Sequence, residues 1–314
     1  MSRVALTVLG GFLGAGKTTW LRHQLRLGAL RRAAVLLNEA ADAPVDGAML
    51  ADAAASLRIL AGGCACCAGR PALLALLRDL CDRRTAGGGE DAVVLETSGL
   101  ADPAAILGAI RADPVLAHHV AVREVVVVVD AVHGLAQLRE EALGRAQAEA
   151  ADRLVVAKAD AAPPGEVARL AATLRRLNPG AALEAAVRGA AADLPDLSGV
   201  APEALASPPG GGPPLATTLR LDAIGADWPA FAVWLSALLH ARGRDVARVK
   251  GVVRAPEGRF LLQGVRDVVQ PPELLPEGAE AEDGAVVVIG RGWRPEDLGR
   301  SLRAFAGARD ARLR

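Results

Sequence analysis

Short apolar runs recur through the amino-terminal part of the chain, each ending in a polar or glycine-bearing turn. VALTVL (4–9) reads as a strand and leads, through a glycine-rich turn, into the helical run KTTWLRHQLRLGAL (17–30). A second strand runs into LLNEAADAPVD (36–46), and RPALLALLRDLCDRR (70–84) is helical, with Cys81 among its leucines as an ordinary buried thiol. AVVLETSGLADP (92–103) opens as a buried strand, VVVVVDAVH (125–133) is another, and LVVAKAD (154–160) a third. Apolar strands separated by helical runs predict an α/β protein with a doubly wound, mostly parallel sheet. SPPGGGPP (207–214) resists both helix and strand and marks a linker between residues 1–206 and 215–314. Beyond it the pattern gives a strand (LATTLRLDA), a helix (WPAFAVWLSALLHAR), three strands (DVARVKGVVRA, GRFLLQGV, AVVVIGRGW) and a last helix (PEDLGRSLRAFAG), a small α+β domain.

Composition narrows the class. With 314 residues, 52% hydrophobic and 23% charged, the chain is long enough for two packed domains. Lysine plus arginine equals aspartate plus glutamate at 36 each, so overall charge draws it to neither nucleic acid nor an anionic membrane. No apolar run approaches the roughly 20 residues of a membrane span, and MSRVALTVLGGFLGAG leads into GKTT and is read as a strand and turn, not a leader. A cytoplasmic protein is expected. There, clustered cysteines suggest metal or redox chemistry before a structural disulfide. The basic residues are almost all arginine; the three lysines are Lys17, Lys158 and Lys250, and the first two fall in motifs. Lys250 is assigned no chemistry.

GFLGAGKT, Gly11 to Thr18, fits G-x-x-x-x-G-K-[ST] between a strand and a helix, which makes the fold a P-loop NTPase. The backbone of Gly11, Gly14, Ala15, Gly16 and Thr19 would line the phosphates, Lys17 would reach the β and γ phosphates, and the Thr18 hydroxyl would bind Mg²⁺. Glu96, at the end of a buried strand and shortly before Gly99, is placed to hold Mg²⁺ through water or to orient the attacking water; Asp130, ending the next strand, competes for that role. In AKAD the Asp160 carboxylate suits the two donors of guanine, with Lys158 beside it, although Ala157 replaces the asparagine usual before such a lysine. Asn38, Glu39, Asp42 and Asp46 occupy the position of a switch loop. GGCACCAG (62–69) places Cys64, Cys66 and Cys67 within four positions, and its alternatives are an ion site, a small-residue turn and a redox pair. His118 and His119 form an adjacent pair with no assigned role.

The order GFLGAGKTT, NE, GCACC, ETSGLADP, VVDA and AKAD resembles the CobW-like family of P-loop GTPases, relatives of the nickel-insertion GTPases that serve urease and hydrogenase. RVKGVV and VVVIGRGW extend the likeness into the carboxyl-terminal part. The resemblance implies a GTP-dependent metallochaperone with Zn²⁺ or Co²⁺ as cargo at C-x-C-C, and a client metalloenzyme or cobalt-insertion machinery as partner. Three thiols leave a four-coordinate ion one ligand short, and Glu39, water or a partner protein are the candidates for the fourth. Two departures stand out: NEAAD in place of an NEFGE-type switch, and five histidines with no histidine-rich run. Turnover is expected to be slow, since no arginine finger is identifiable. A P-loop kinase or ATPase with structural cysteines, a non-catalytic metal sensor and a scaffold remain as alternatives, and a homodimer is left open.

Overall fold

The computed structural model describes residues 3–30, 33–38, 56–60, 69–205, 215–224, 227–243, 245–266, 268–275 and 283–312. It divides into one unit of Met1–Leu177 with Ala181–Leu205 and another of Asn178–Gly180 with Ala206–Arg314. The expected linker, 207–214, lies outside the described residues.

In the first unit the strands are apolar on both faces, as strands covered by helices on each side must be. They are β1 (Val4–Gly11), β2 (Ala33–Asn38), β3 (Ser56–Leu60), β4 (Ala92–Glu96), β5 (Val120–Asp130), β6 (Arg153–Ala157), β7 (Ala182–Val187) and β8 (Ala190–Ala192). All six residues of β2 are buried, and β5 carries the β-branched run Val125–Val129 through the sheet centre. The order is β3-β2-β4-β1-β5-β6-β7-β8, parallel except for β8, which closes a hairpin on β7. β1 lies between β4 and β5, so the chain goes to one side of it first and later crosses to the other. That reversal opens a crevice at the strands' carboxyl ends, where doubly wound sheets bind ligands.

Helices α1 (Lys17–Leu27), α2 (Arg70–Thr85), α3 (Pro103–Ala112), α4 (Pro114–His119), α5 (Gly134–Glu140), α6 (Ala142–Ala150) and α7 (Pro164–Leu177) connect the strands. Two of their starts are chemically marked. Asp102 caps α3 by accepting from the Ala104 amide at 3.0 Å, and Asp113 caps α4 by accepting from Val115 and Leu116 at 3.0 and 3.1 Å, each followed by proline at the first helical position. Trp20, Leu21 and Leu25 of α1 pack on Val35, Leu37, Val94 and Val126 from the sheet. Cys81 is buried on α2, and burial pushes its thiol pKa up.

The second unit is an antiparallel sheet with helices packed on it. Its elements are β9 (Leu215–Arg220), α8 (Leu221–Ile224), α9 (Trp228–Arg242), β10 (Val246–Ala255), β11 (Gly258–Val265), β12 (Val268–Val269), β13 (Glu273–Leu274), β14 (Ala285–Gly290) and α10 (Pro295–Arg312), with strand order β12-β11-β10-β14-β9 and β13 on β11. Phe231 and Trp234 of α9, their rings 5.7 Å apart, share a core with Val249, Leu262, Val286 and Leu302. The Trp234 indole N–H donates to Ser301 Oγ at 3.1 Å, so the polar end of a large buried ring is satisfied while tying α9 to α10.

Leu36 and Phe231 each sit fully enclosed at the middle of their cores. Leu36→Ala is expected to cost about 2–5 kcal/mol and Phe231→Ala about 3–5 kcal/mol by urea denaturation. A loss below about 1 kcal/mol at either position would mean that its surroundings collapse into the gap and that the packing described is not specific.

Candidate functional site

The turn after β1 owes its path to glycine. Gly16 holds φ at 98°, a left-handed conformation costly for any residue with a Cβ, and thereby begins α1 without a side-chain cap. The first turn of α1 also lacks an acidic residue, so its amide donors and the positive end of the helix dipole are left for an anion. Ala15 is buried beneath the loop, and its amide donates to the Phe12 carbonyl at 3.2 Å. Lys17, only 9% exposed, donates to the carbonyls of Gly11 at 2.9 Å and Phe12 at 3.0 Å, arched back over the loop it belongs to. Gly11, Gly14, Gly16, Lys17, Thr18 and Thr19 thus form one continuous turn and helix start.

Glu96 ends β4 directly beside this loop, in register with Leu9 of β1, and is 6% exposed. Its Oε1 accepts from the Thr18 hydroxyl at 2.6 Å. The approach is possible because of Gly99: a Cβ there would lie 2.5 Å from the Leu13 backbone nitrogen, so only glycine lets the two turns touch. A hydroxyl and a carboxylate brought together beside a phosphate cradle are hard oxygen donors, a set that fits Mg²⁺ held jointly with nucleotide phosphates. Asp130 does not compete for that position. Its Oδ1 accepts from the amides of Val132 and His133 at 2.7 and 3.3 Å, and its Oδ2 accepts from Lys158 at 2.7 Å.

Lys158 connects two motifs that are far apart in the sequence. Its ammonium donates at once to Asp130 and, at 2.7 Å, to the Gly14 carbonyl, while its own backbone sits at φ 57°. The lysine of AKAD therefore braces the phosphate loop. Asp160, two residues on, is exposed, and Ala157 is buried at the end of β6. Sequence reasoning missed a further brace. Gln147 of α6, 1% exposed, donates to the carbonyls of Gly99 at 3.2 Å and Ala101 at 2.8 Å, pinning the turn that follows Glu96. Its signal was a lone amide in the alanine-rich run ALGRAQAEA.

Cys64, Cys66, Cys67 and Glu39, with Asp42 and Asp46, lie outside the described residues. Their flanks are described. Asn38, which precedes Glu39, is buried and in register with Leu60, and the cysteine segment follows Leu60; Leu37 in turn is in register with Glu96. His118 and His119 close α4, and among the described residues no group of three histidine, cysteine or acidic side chains could hold a metal ion.

Burial alone would raise the pKa of Asp130, but the Lys158 ammonium and the Val132 and His133 amides outweigh it and hold the carboxyl below the usual carboxylate range. A depressed folded-state pKa contributes stability above the unfolded value, near 3.9, and that contribution fades as pH falls through the folded value. Asp130→Asn is accordingly expected to lose about 1–3 kcal/mol near neutral pH, and in urea titrations the gap to the parent should narrow progressively as pH falls below about 4. A gap that stays constant across that range would show that the charge of the pair contributes nothing.

The family model described as CobW/HypB/UreG, nucleotide-binding domain, matches residues 5–184, and the Cobalamin synthesis protein cobW C-terminal domain matches residues 222–306. The zinc chaperone YjiA of Escherichia coli is 37% identical over 179 residues, which cover 57% of this chain and 56% of YjiA. The zinc chaperone CobW of Pseudomonas aeruginosa is 38% identical over 120 residues, 35% of this chain and 31% of the relative. The aligned stretches thus span about half or less of the curated relatives. In three dimensions, Zn(II)-bound YjiA GTPase from E. coli aligns over 97% of this chain and 99% of its own at a TM-score of 0.59 and 22% identity, a likeness of fold. With its first match alone covering more than half of the residues, the chain belongs to the CobW/HypB/UreG family and carries that family's CobW-type carboxyl-terminal domain.

Proposed function

We propose that this chain is a slow GTPase and metallochaperone, which binds Zn²⁺ or Co²⁺ at Cys64, Cys66 and Cys67 and releases it to a client metalloenzyme when GTP is hydrolysed. GTP would lie with its phosphates on Gly11 to Thr19 and its base toward Asp160, whose exposed carboxylate suits the two donors on one edge of guanine. Lys17 would neutralise the β and γ phosphates and Glu96 would orient the attacking water. Mg²⁺, held by the Thr18 hydroxyl and the phosphates, would supply charge neutralisation at the transferred group. Two relatives carry names that accord with this reading: the zinc chaperone YjiA of E. coli, and a zinc-regulated GTPase metalloprotein activator of Schizosaccharomyces pombe, 29% identical over 182 residues. The expected setting is the cytoplasm; no helix among the described residues is long and apolar enough to cross a membrane.

The observation that carries the proposal is the order of strand ends. Leu60 is in register with Asn38 across β3 and β2, and Glu96 of β4 is in register with Leu37, the residue before Asn38, on one side and with Leu9 of β1 on the other. Leu60 and Glu96 are two strand spacings apart, roughly 10 Å. Cys64 follows Leu60 by four residues and Glu39 follows Asn38 directly, so the cysteine and switch segments leave from described strand ends that neighbour the end of β4 at Glu96. The reading supported by this is that a loop responding to the γ phosphate through Asn38 and Glu39 would act on the thiolates, which are soft donors suited to Zn²⁺ or Co²⁺.

The test is Zn²⁺ affinity by chelator competition under reducing conditions, with Mg²⁺ and either GDP or a non-hydrolysable GTP analogue. A difference of tenfold or more between the two states, about 1.4 kcal/mol of coupling, is expected, and Cys66→Ser should abolish it. Lys17→Ala should abolish hydrolysis while leaving Zn²⁺ binding to the nucleotide-free protein intact. Equal affinity in both nucleotide states, repeated with Co²⁺, would remove the delivery mechanism.

A further inference from the structure

Among the described residues only three without a glycine's freedom have positive φ: Lys158 at 57°, Arg188 at 51° and Arg266 at 55°. Two of the three sit at the carboxyl ends of neighbouring strands, Lys158 just after β6 and Arg188 just after β7. Backbone strain of this kind persists where the surroundings enforce it and clusters at ligand sites. Lys158 has a role in bracing the phosphate loop, whereas Arg188 has none in the fold. It is exposed and makes no hydrogen bond or ion pair among the described residues, in contrast to Arg153 on the same sheet, which lies between Glu124 and Glu184.

The turn that presents Arg188 is fixed in place. Val187 pairs with Ala190, leaving Arg188 and Gly189 as a two-residue hairpin turn with both φ positive, 51° and 88°. Such turns favour asparagine, aspartate or glycine at the first position, so arginine is retained there against local preference. A Cβ on Gly189 would lie 2.8 Å from the Thr19 carbonyl oxygen and 2.6 Å from His23 Cβ, which locks the turn onto the first turns of α1. On its other side the Ala159 amide donates to the Ala186 carbonyl at 3.2 Å, tying the AKAD loop to the end of β7. The turn is thus anchored both to the helix that starts the phosphate site and to the loop that carries Asp160.

We propose that Arg188 is a base-reading residue, its guanidinium donating to O6 and N7 of guanine while Asp160 accepts from the N1 and N2 donors. The inference rests on the GTP reading above and deepens it. A fork of N–H donors matches two adjacent acceptors; adenine offers one acceptor and an amino donor at the same edge and is rejected. The contact also supplies what Ala157 lacks, since the asparagine usual before the lysine of this motif would otherwise contact the base.

The experiment is displacement of a fluorescent nucleotide from the full chain by GDP, 7-deaza-GDP and ADP, in the parent and in Arg188→Gly and Arg188→Asn. Both replacements tolerate positive φ, so thermal stability should be kept or raised and folding is not at issue. The parent is expected to favour GDP over ADP and to bind GDP about tenfold more tightly than 7-deaza-GDP, which lacks the N7 acceptor. Each variant should lose about tenfold in GDP affinity and bind GDP and 7-deaza-GDP equally. Variants that keep the parent's preference for GDP over 7-deaza-GDP overturn the role of Arg188 and leave the GTPase reading standing. A parent that binds ADP as tightly as GDP overturns the guanine reading itself, and this inference with it.

Discussion

The amino-terminal unit is organised around one close approach, that of the Gly99 backbone to the Leu13 backbone. These turns leave the ends of β4 and β1, and any side chain between them would force the strand ends apart. With them in contact, the Thr18 hydroxyl and Glu96 carboxylate meet at 2.6 Å, and Gln147 holds the outer turn from behind through two carbonyls. On the opposite side of β1, Lys158 does the corresponding work by joining Asp130 to the Gly14 carbonyl. The phosphate loop is therefore held between two polar braces, one from β4 and one from β5 and β6. The Glu96 carboxylate and the Asp130 carboxylate are buried, which strengthens the electrostatics of their contacts relative to the same contacts in water.

The strands and the phosphate loop were legible in the sequence because their signals are local. Runs such as VVVVV and AVVLE permit little besides buried strands, and G-x-x-x-x-G-K-T constrains backbone and chemistry within a few residues. The place of Glu96 beside the phosphate loop was legible for a related reason, since the carboxylate ends an apolar strand and is followed by a glycine turn. The Asp130–Lys158 pair was not, because its partners are on different strands and their meeting is a property of strand order. Asp130 was read as an alternative to Glu96, whereas its oxygens are taken up by two amides and an ammonium.

Other elements left weaker traces. The β7–β8 hairpin and α7 are built from alanine-rich stretches whose apolar pattern does not separate helix from strand, and neither was anticipated. Arg188 carries no motif, and its significance lies in a backbone angle. The carboxyl-terminal unit was read correctly as α+β because its strands are longer and its aromatic helix distinctive. The pairing of Trp234 with Ser301 joins residues 67 positions apart and leaves no local trace in the sequence. For the cysteines the sequence speaks of donor chemistry, and the fold adds the neighbourhood of their flanks through the register of Asn38 with Leu60.

The scarcity of lysine turns one of these braces into a chemical handle. Of the three side-chain amines, Lys17 is buried against the carbonyls of its own loop, Lys158 is half-buried against Asp130 and Gly14, and Lys250 lies in the other unit on β10. An acylating reagent or a reductive methylation therefore has one partly open target at the phosphate loop and one in the carboxyl-terminal sheet. Attachment through amines, for labelling or for coupling to a surface, would strike the brace of the phosphate loop itself. An enzymatic tag is the conjugation route that spares that brace.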